Sequence, residues 1–186
     1  MAGFDGADSW ATDAHKWLNV PYDSGVQFTR HLDLQVEVFQ NAGAAYLGVP
    51  NAADALHLTP ESSRRLRALP VWMTLMAYGA EGYRTIVEEN CRCASILGRY
   101  VETSSRFRLL APVRLNIVAF TLRETRPDRD AVAAVLRRLR DGGRTFLTPT
   151  TLGGVPGFRA AFSNWRTTAD DVEIVWQALN DAVGVR

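Results

Sequence analysis

The chain is nearly without lysine. Of 21 lysine and arginine residues, only Lys16 is a lysine, and every other strong base is an arginine. Cysteine is almost as scarce, with 2 in 186 residues. Cys91 and Cys93 lie two apart in a stretch of helical texture, where side chains do not face each other, so neither a disulfide nor a two-ligand metal grip is expected. They read as packing residues of a reducing compartment. An excess of one charge is also lacking: 21 basic against 20 acidic residues excludes a broad basic face for nucleic acid. No apolar run approaches the roughly 18–20 residues that span a membrane. The opening Met1–Trp10 has no basic patch followed by an apolar stretch, so no signal peptide is expected and the cytoplasm is the default location. GxGxxG and Walker-type phosphate loops, HExxH and paired CxxC are all missing, and no metal site is expected.

What is present is apolar material at 47% of residues, enough for one ordinary core, or for a small domain with part of another. Retention of a single lysine among arginines has chemical weight. Arginine stays protonated, whereas a lysine amine can lose its proton and attack a carbonyl. Taken alone, Lys16 reads equally well as one leftover surface lysine in a chain from a GC-rich genome.

Along the chain, a strand leading to Lys16, a turn, and a second strand over 26–30 are expected from the apolar pieces around Pro21 and Gly25. Residues 31–60 read as irregular, a long functional loop containing Tyr46. Leu66, Leu69, Trp72, Met73 and Met76 recur at helical spacing, with Pro70 as a kink or a new start. A second helix is expected over about 80–102. Strands at 107–111 and 115–122 follow, then a helix behind Asp128 and Asp130 that Gly142-Gly143 stops. A hairpin around Gly153-Gly154 comes next, and a last helix begins at Thr168 and Asp171 with capping-box spacing. Residues 105–186 have both ends marked and read as a small α/β domain. The first thirty residues cannot stand alone, because two strands without a sheet leave backbone groups unpaired.

The segment Ser9-Trp10-Ala11-Thr12-Asp13-Ala14-His15-Lys16-Trp17-Leu18 resembles the lysine signature of the group II pyridoxal-phosphate-dependent amino-acid decarboxylases, the family of aromatic-amino-acid, histidine and glutamate decarboxylases. Ser9 and Trp10 stand seven and six positions before the lysine, His15 directly before it, and apolar Trp17 and Leu18 after it. Tyr22 also fits; Ser24 departs from the usual Cys or Ala. Tyr46 in Ala44-Ala45-Tyr46-Leu47 falls where the family's mobile loop carries its tyrosine. Ser62-Ser63-Arg64-Arg65-Leu66-Arg67 is similar to the arginine-rich stretch beyond that loop, and Gly157-Phe158-Arg159-Ala160-Ala161-Phe162 to the C-terminal strand whose arginine lies at the active site.

The resemblance implies an α/β fold: the C-terminal part of a fold type I large domain, followed by a small α/β domain. Residues 1–60 would be a remnant of the large domain, 61–104 linking helices, and 105–186 the C-terminal domain. Pyridoxal 5'-phosphate is the implied cofactor, an amino acid the substrate, and a homodimer the family's assembly. Lys16 would be the Schiff-base lysine. His15, Asp13 and Ser9 would lie at the cofactor, with Asp13 unable to donate to phosphate. Tyr46 would protonate the substrate carbon after loss of carbon dioxide, and Arg159 would grip a carboxylate. His31 and His57 match no motif position and read as surface or loop residues, and Arg64, Arg65 and Arg67 as a solvated or packing face. The family also uses an aspartate on the pyridine nitrogen, a histidine stacked on the ring and a small-residue phosphate loop, all farther upstream than the fifteen residues before Lys16 reach. The chain is therefore expected to be an incomplete fragment, with a missing N-terminal half. Alternatives are one part of a two-chain enzyme, a non-catalytic interaction or dimerisation module, and a related carbon–carbon lyase.

Overall fold

The computed structural model describes residues 3–40, 45–49, 54–123 and 128–184. These divide into two compact units, 1–77 and 78–186, so the segment 61–104, expected to link, is shared between them.

In the first unit, β1 (Ser9–Asp13) and β2 (Gly25–Thr29) form an antiparallel pair, Ser9 opposite Thr29 and Asp13 opposite Gly25. The expected strand, turn and strand around Lys16 are thus present. The irregular reading of 31–60 is corrected over α1, a helix from Leu32 to Phe39. Its apolar residues Leu32, Leu34, Val36 and Val38 alternate rather than recur at helical spacing, and none of its residues is buried, so the segment carries no helical stripe to read. Short 3-10 turns follow at Ala45–Leu47 and Ala55–His57. The helix α2 runs from Ala68 to Thr103 and is interrupted at Gly79, with φ 60° and ψ −173°. That backbone conformation is one that side chains with a Cβ rarely adopt. Pro70 falls in the first turn of α2, where its missing N–H has no partner to lose.

The second unit is built on a four-stranded antiparallel sheet in the order β3-β4-β6-β5. Its strands are β3 (Phe107–Leu109), β4 (Ile117–Leu122), β5 (Thr148–Leu152) and β6 (Val155–Ala161). Two further helices, α3 (Arg129–Gly142) and α4 (Ala169–Gly184), complete it. Asp128 caps α3 by accepting from the Asp130 N–H, and Asp171 accepts from both the N–H and the hydroxyl of Thr168 at the start of α4; each satisfies a donor that a helix start would leave free.

One core gathers the unit. Cys93, Ala94, Leu97 and Val101 of α2, Val132, Val135 and Leu139 of α3, and Val172 and Leu179 of α4 bury their stripes against Phe107, Val118, Phe120 and Phe158 of the sheet. The rings interlock, with centroids 5.7 Å apart for Phe107–Phe120, 5.2 Å for Phe120–Phe158 and 5.7 Å for Phe107–Trp176. At Gly157 the backbones of β6 and β4 approach so closely that a Cβ would overlap the Phe120 carbonyl oxygen. The few polar groups inside are paired: Asn90 donates to the Asn164 carbonyl at 3.1 Å and the Thr121 hydroxyl to the Pro156 carbonyl at 2.7 Å.

Candidate active site

Lys16 sits in a tight loop leaving β1. The Ala14 N–H donates to the Ser24 carbonyl, Val20 N–H to Ala14, and Asn19 N–H to the Lys16 carbonyl at 2.9 Å. Asn19 takes a left-handed φ of 55° to close the turn, a conformation asparagine tolerates better than most residues. Ala14 and Val20 are the buried pins of this loop. With its backbone so held, Lys16 projects a side chain 63% exposed, its Nζ 2.5 Å from Asp13 Oδ2. The Lys16 ammonium, by hydrogen bond and then by charge, holds the Asp13 carboxyl below the usual carboxylate range.

The half-buried His15 packs its ring against Tyr22, with centroids 4.4 Å apart. Tyr22 is fixed from elsewhere: its carbonyl accepts from Arg65 Nη2 at 3.1 Å. Arg65 also pairs with the Asp23 carboxylate, and Arg67 bridges Asp23 at 3.2 Å and Glu61 at 2.6 Å. Asp23 lies below its ordinary pKa because of a hydrogen bond from its own backbone and then the Arg67 guanidinium; Glu61 does so because of Arg67. This four-residue ionic cluster tethers the end of the lysine loop, and the sequence reading missed it. Forty-two residues separate Asp23 from Arg65, and no local pattern announces a pairing at that range. Arg65 and Arg67, expected only as a solvated or packing face, hold the loop instead.

Ser9 opens β1 on an exposed position. Tyr46 lies on the Ala45–Leu47 turn and is 87% exposed. Arg159 belongs to the second unit, half-buried on β6, paired across the sheet with Ala119 and Thr148. Lys16, His15 and Asp13 are brought together within the first unit. His31 is exposed and pairs with Asp8 at 3.0 Å, as a surface histidine would. His57 is different: it is 1% exposed, and neither ring nitrogen has a hydrogen-bond partner among the described residues. The expectation of a surface or loop histidine is corrected there, since burial of such a group is costly and carries no sequence signature.

A family profile described as the pyridoxal-dependent decarboxylase conserved domain matches residues 1–123. The chain belongs to that family. It is 29% identical over 185 residues to the aromatic-L-amino-acid decarboxylase of Drosophila melanogaster, covering 98% of this chain and 36% of that protein. It is 31% identical over 182 residues to the histidine decarboxylase of the same organism, covering 96% of this chain and 21% of that one. In fold it matches Catharanthus roseus tryptophan decarboxylase in complex with L-tryptophan, with a TM-score of 0.83 at 21% identity over 97% of this chain and 37% of that structure. The expected mixed α/β fold is therefore present, and the chain spans between 21% and 37% of the length of these decarboxylases, consistent with a C-terminal portion. Pyridoxal phosphate is the cofactor of the family. The residues around Lys16 fit its aldehyde end: the chain's only lysine amine is accessible, with a carboxylate beside it able to take up its charge.

Proposed function

We propose that this chain carries the lysine-bearing, C-terminal part of a pyridoxal-phosphate-dependent decarboxylase acting on an L-amino acid, releasing the amine and carbon dioxide. The observation that supports this most is the accessible Lys16 amine, paired with Asp13 on a pinned loop inside the region matching the family profile. When bound, the cofactor supplies an electron sink for the pair left as the carboxylate departs.

The chain's own residues act around it. Lys16 would hold the cofactor through its amine, and Asp13 accepts the hydrogen bond of that amine in its charged form. His15, steadied by Tyr22, would help to hold the cofactor. Tyr46, on its exposed turn, delivers a proton from its hydroxyl to the substrate carbon. Arg159 offers a two-pronged contact to a carboxylate, and Ser9 a hydroxyl at the far end of β1. A carboxylate is common to all amino acids, so Arg159 does not choose among aromatic, imidazole and acidic substrates.

We further propose that activity requires the remaining portion of the family fold, within a cytoplasmic homodimer. Two observations support this. The chain matches only 36% of the fly aromatic-L-amino-acid decarboxylase, and the 68–77 part of α2 leaves Leu69, Trp72, Met73, Leu75 and Met76 exposed, an apolar surface of the kind that is normally covered. Borohydride reduction with pyridoxal phosphate, peptide mapping and an amine-release assay test the reading. The lone chain is expected to give weak labelling and no amine, while the chain joined to an upstream portion labels at Lys16 and turns over. Strong, specific labelling of Lys16 with turnover by the lone chain sinks the requirement; labelling elsewhere in the joined protein sinks the role of Lys16.

A further inference from the structure

The second unit contains a cleft that the proposed decarboxylation does not use. It encloses about 590 Å³, within the range of small-molecule sites. One wall is a face of α3 carrying Arg129, Ala133, Leu136, Arg137 and Arg140; the other includes Phe146 and Pro149, at the β5 edge of the sheet. The floor is apolar, and Phe146 stands 72% exposed at its rim.

The charges around this floor are of one sign. Among the described residues no acidic side chain lines the cleft. The Asp128 carboxylate at the start of α3 is occupied with the helix cap, accepting from the Asp130 N–H. Among the described residues no carboxylate pairs with Arg129 or Arg137, and Arg140 meets only its neighbour Asp141, at 3.9 Å. Elsewhere in the chain arginines are commonly engaged: Arg65, Arg67, Arg92 and Arg144 all hold carboxylates. Three guanidiniums, permanently charged at neutral pH, thus border an apolar hollow, and among the described residues only Arg140 has a carboxylate within reach, the exposed Asp141 at 3.9 Å.

We propose that this cleft binds a small organic anion with an apolar body, an aryl- or alkyl-carboxylate. The apolar body lies on Leu136 and Phe146, and the carboxylate takes the fork of Arg137 or Arg140. Charge complementarity selects an anion over a neutral or cationic ligand. A docked peptide strand is disfavoured because Pro149, the second residue of the edge strand β5, lacks the N–H that an added strand needs.

The test is an NMR titration of the ¹⁵N-labelled full chain with 4-phenylbutyrate, and with the neutral 4-phenylbutyramide in parallel. Saturable shifts are expected at amides of α3 and β5 with the acid, and binding at least about 10-fold weaker with the amide, since one charge-assisted contact is lost. The double substitution Arg137→Ala with Arg140→Ala is expected to weaken the acid by a similar factor and leave the amide unchanged. Ala133→Trp, which fills the cleft, is expected to abolish both; the double arginine variant, confined to exposed side chains, decides the matter if that protein does not fold. Equal binding of acid and amide, an unchanged affinity in the double variant, or shifts confined to residues 68–77 overturns the proposal. Tighter binding of an acidic amphipathic peptide at the same amides also overturns it, and assigns the cleft to a protein partner.

Discussion

Residues 78–186 bury Phe107, Phe120 and Phe158 completely, together with stripes from three helices, whereas the described part of residues 1–77 buries only Ala14, Val20 and His57. The first unit relies on other forces: one two-stranded ladder, the Asp23–Arg65–Arg67–Glu61 cluster, and pairs such as Lys16–Asp13 and His31–Asp8. Exposed ion pairs are screened by water and contribute little, and an isolated two-stranded ribbon is marginal. Burying a single large side chain contributes about 1.5–3 kcal/mol. The difference teaches where stability resides relative to the proposed site: the proposed Schiff-base lysine is carried on the unit with little core, and the unit with the core carries the proposed carboxylate contact, Arg159.

The most damaging way to probe this contrast is Phe120→Ala. Phe120 touches both Phe107 and Phe158 across the sheet, so its removal opens a cavity that the surrounding rings cannot close. A loss of about 3–5 kcal/mol is expected, read by denaturant unfolding followed through Trp176, with the amide signals of residues 9–29 little changed. A loss below about 1 kcal/mol would show that the sheet and helices do not share one core.

A smaller effect is expected from acid, and it should separate the units in the opposite sense. Asp23 and Glu61 have their folded pKa values lowered, so both bind protons more weakly in the fold than in the unfolded chain. Their contribution is present above the ordinary carboxylate value, about 4, and is lost as pH falls through the lowered folded values. Asp13 follows the same sign through Lys16. In the second unit Glu89 is lowered too, by Arg92, but that pair lies three residues apart along one helix rather than tying distant segments. On acidification below about pH 4, amide signals of Tyr22, Asp23 and Arg65 should therefore broaden or move before those of Phe120. Simultaneous loss in both units would contradict this, and Asp23→Asn should blunt the early transition.

Much of this was legible from residues alone because each feature has a local cause. The helical stripes of α3 and α4, the Asp128 and Thr168–Asp171 starts and the hairpin at Gly153-Gly154 are all written within a few neighbouring residues, and all are present. The family was legible through Lys16 and its flanking Ser9, Trp10 and His15. Helix α1 was not, because it buries nothing and its apolar residues alternate. The Asp23 tether was not, because its partners lie more than forty residues apart. Nor was the burial of His57, since nothing around it in sequence distinguishes a buried ring from an exposed one. Local structure was readable; pairings over long range were not.

The smallest expected effect is the one that most sharpens the contrast. Trp72 lies on α2 in a run of ten residues, 68–77, whose only polar side chain is Thr74, and it is 59% exposed. A buried tryptophan truncated to a small residue costs about 3–5 kcal/mol, but this one has little packing to lose. Trp72→Gln is expected to change unfolding stability of this chain by no more than about 0.5 kcal/mol, while reducing concentration-dependent self-association in sedimentation. In an enzyme completed by the rest of the family fold, the same substitution should cost several-fold more, because the ring would then be covered. Equal, small effects in both contexts would mean that the apolar run stays solvent-facing and that the remaining portion docks on another face. A large effect in the lone chain would mean that the first unit has a core of its own around Trp72.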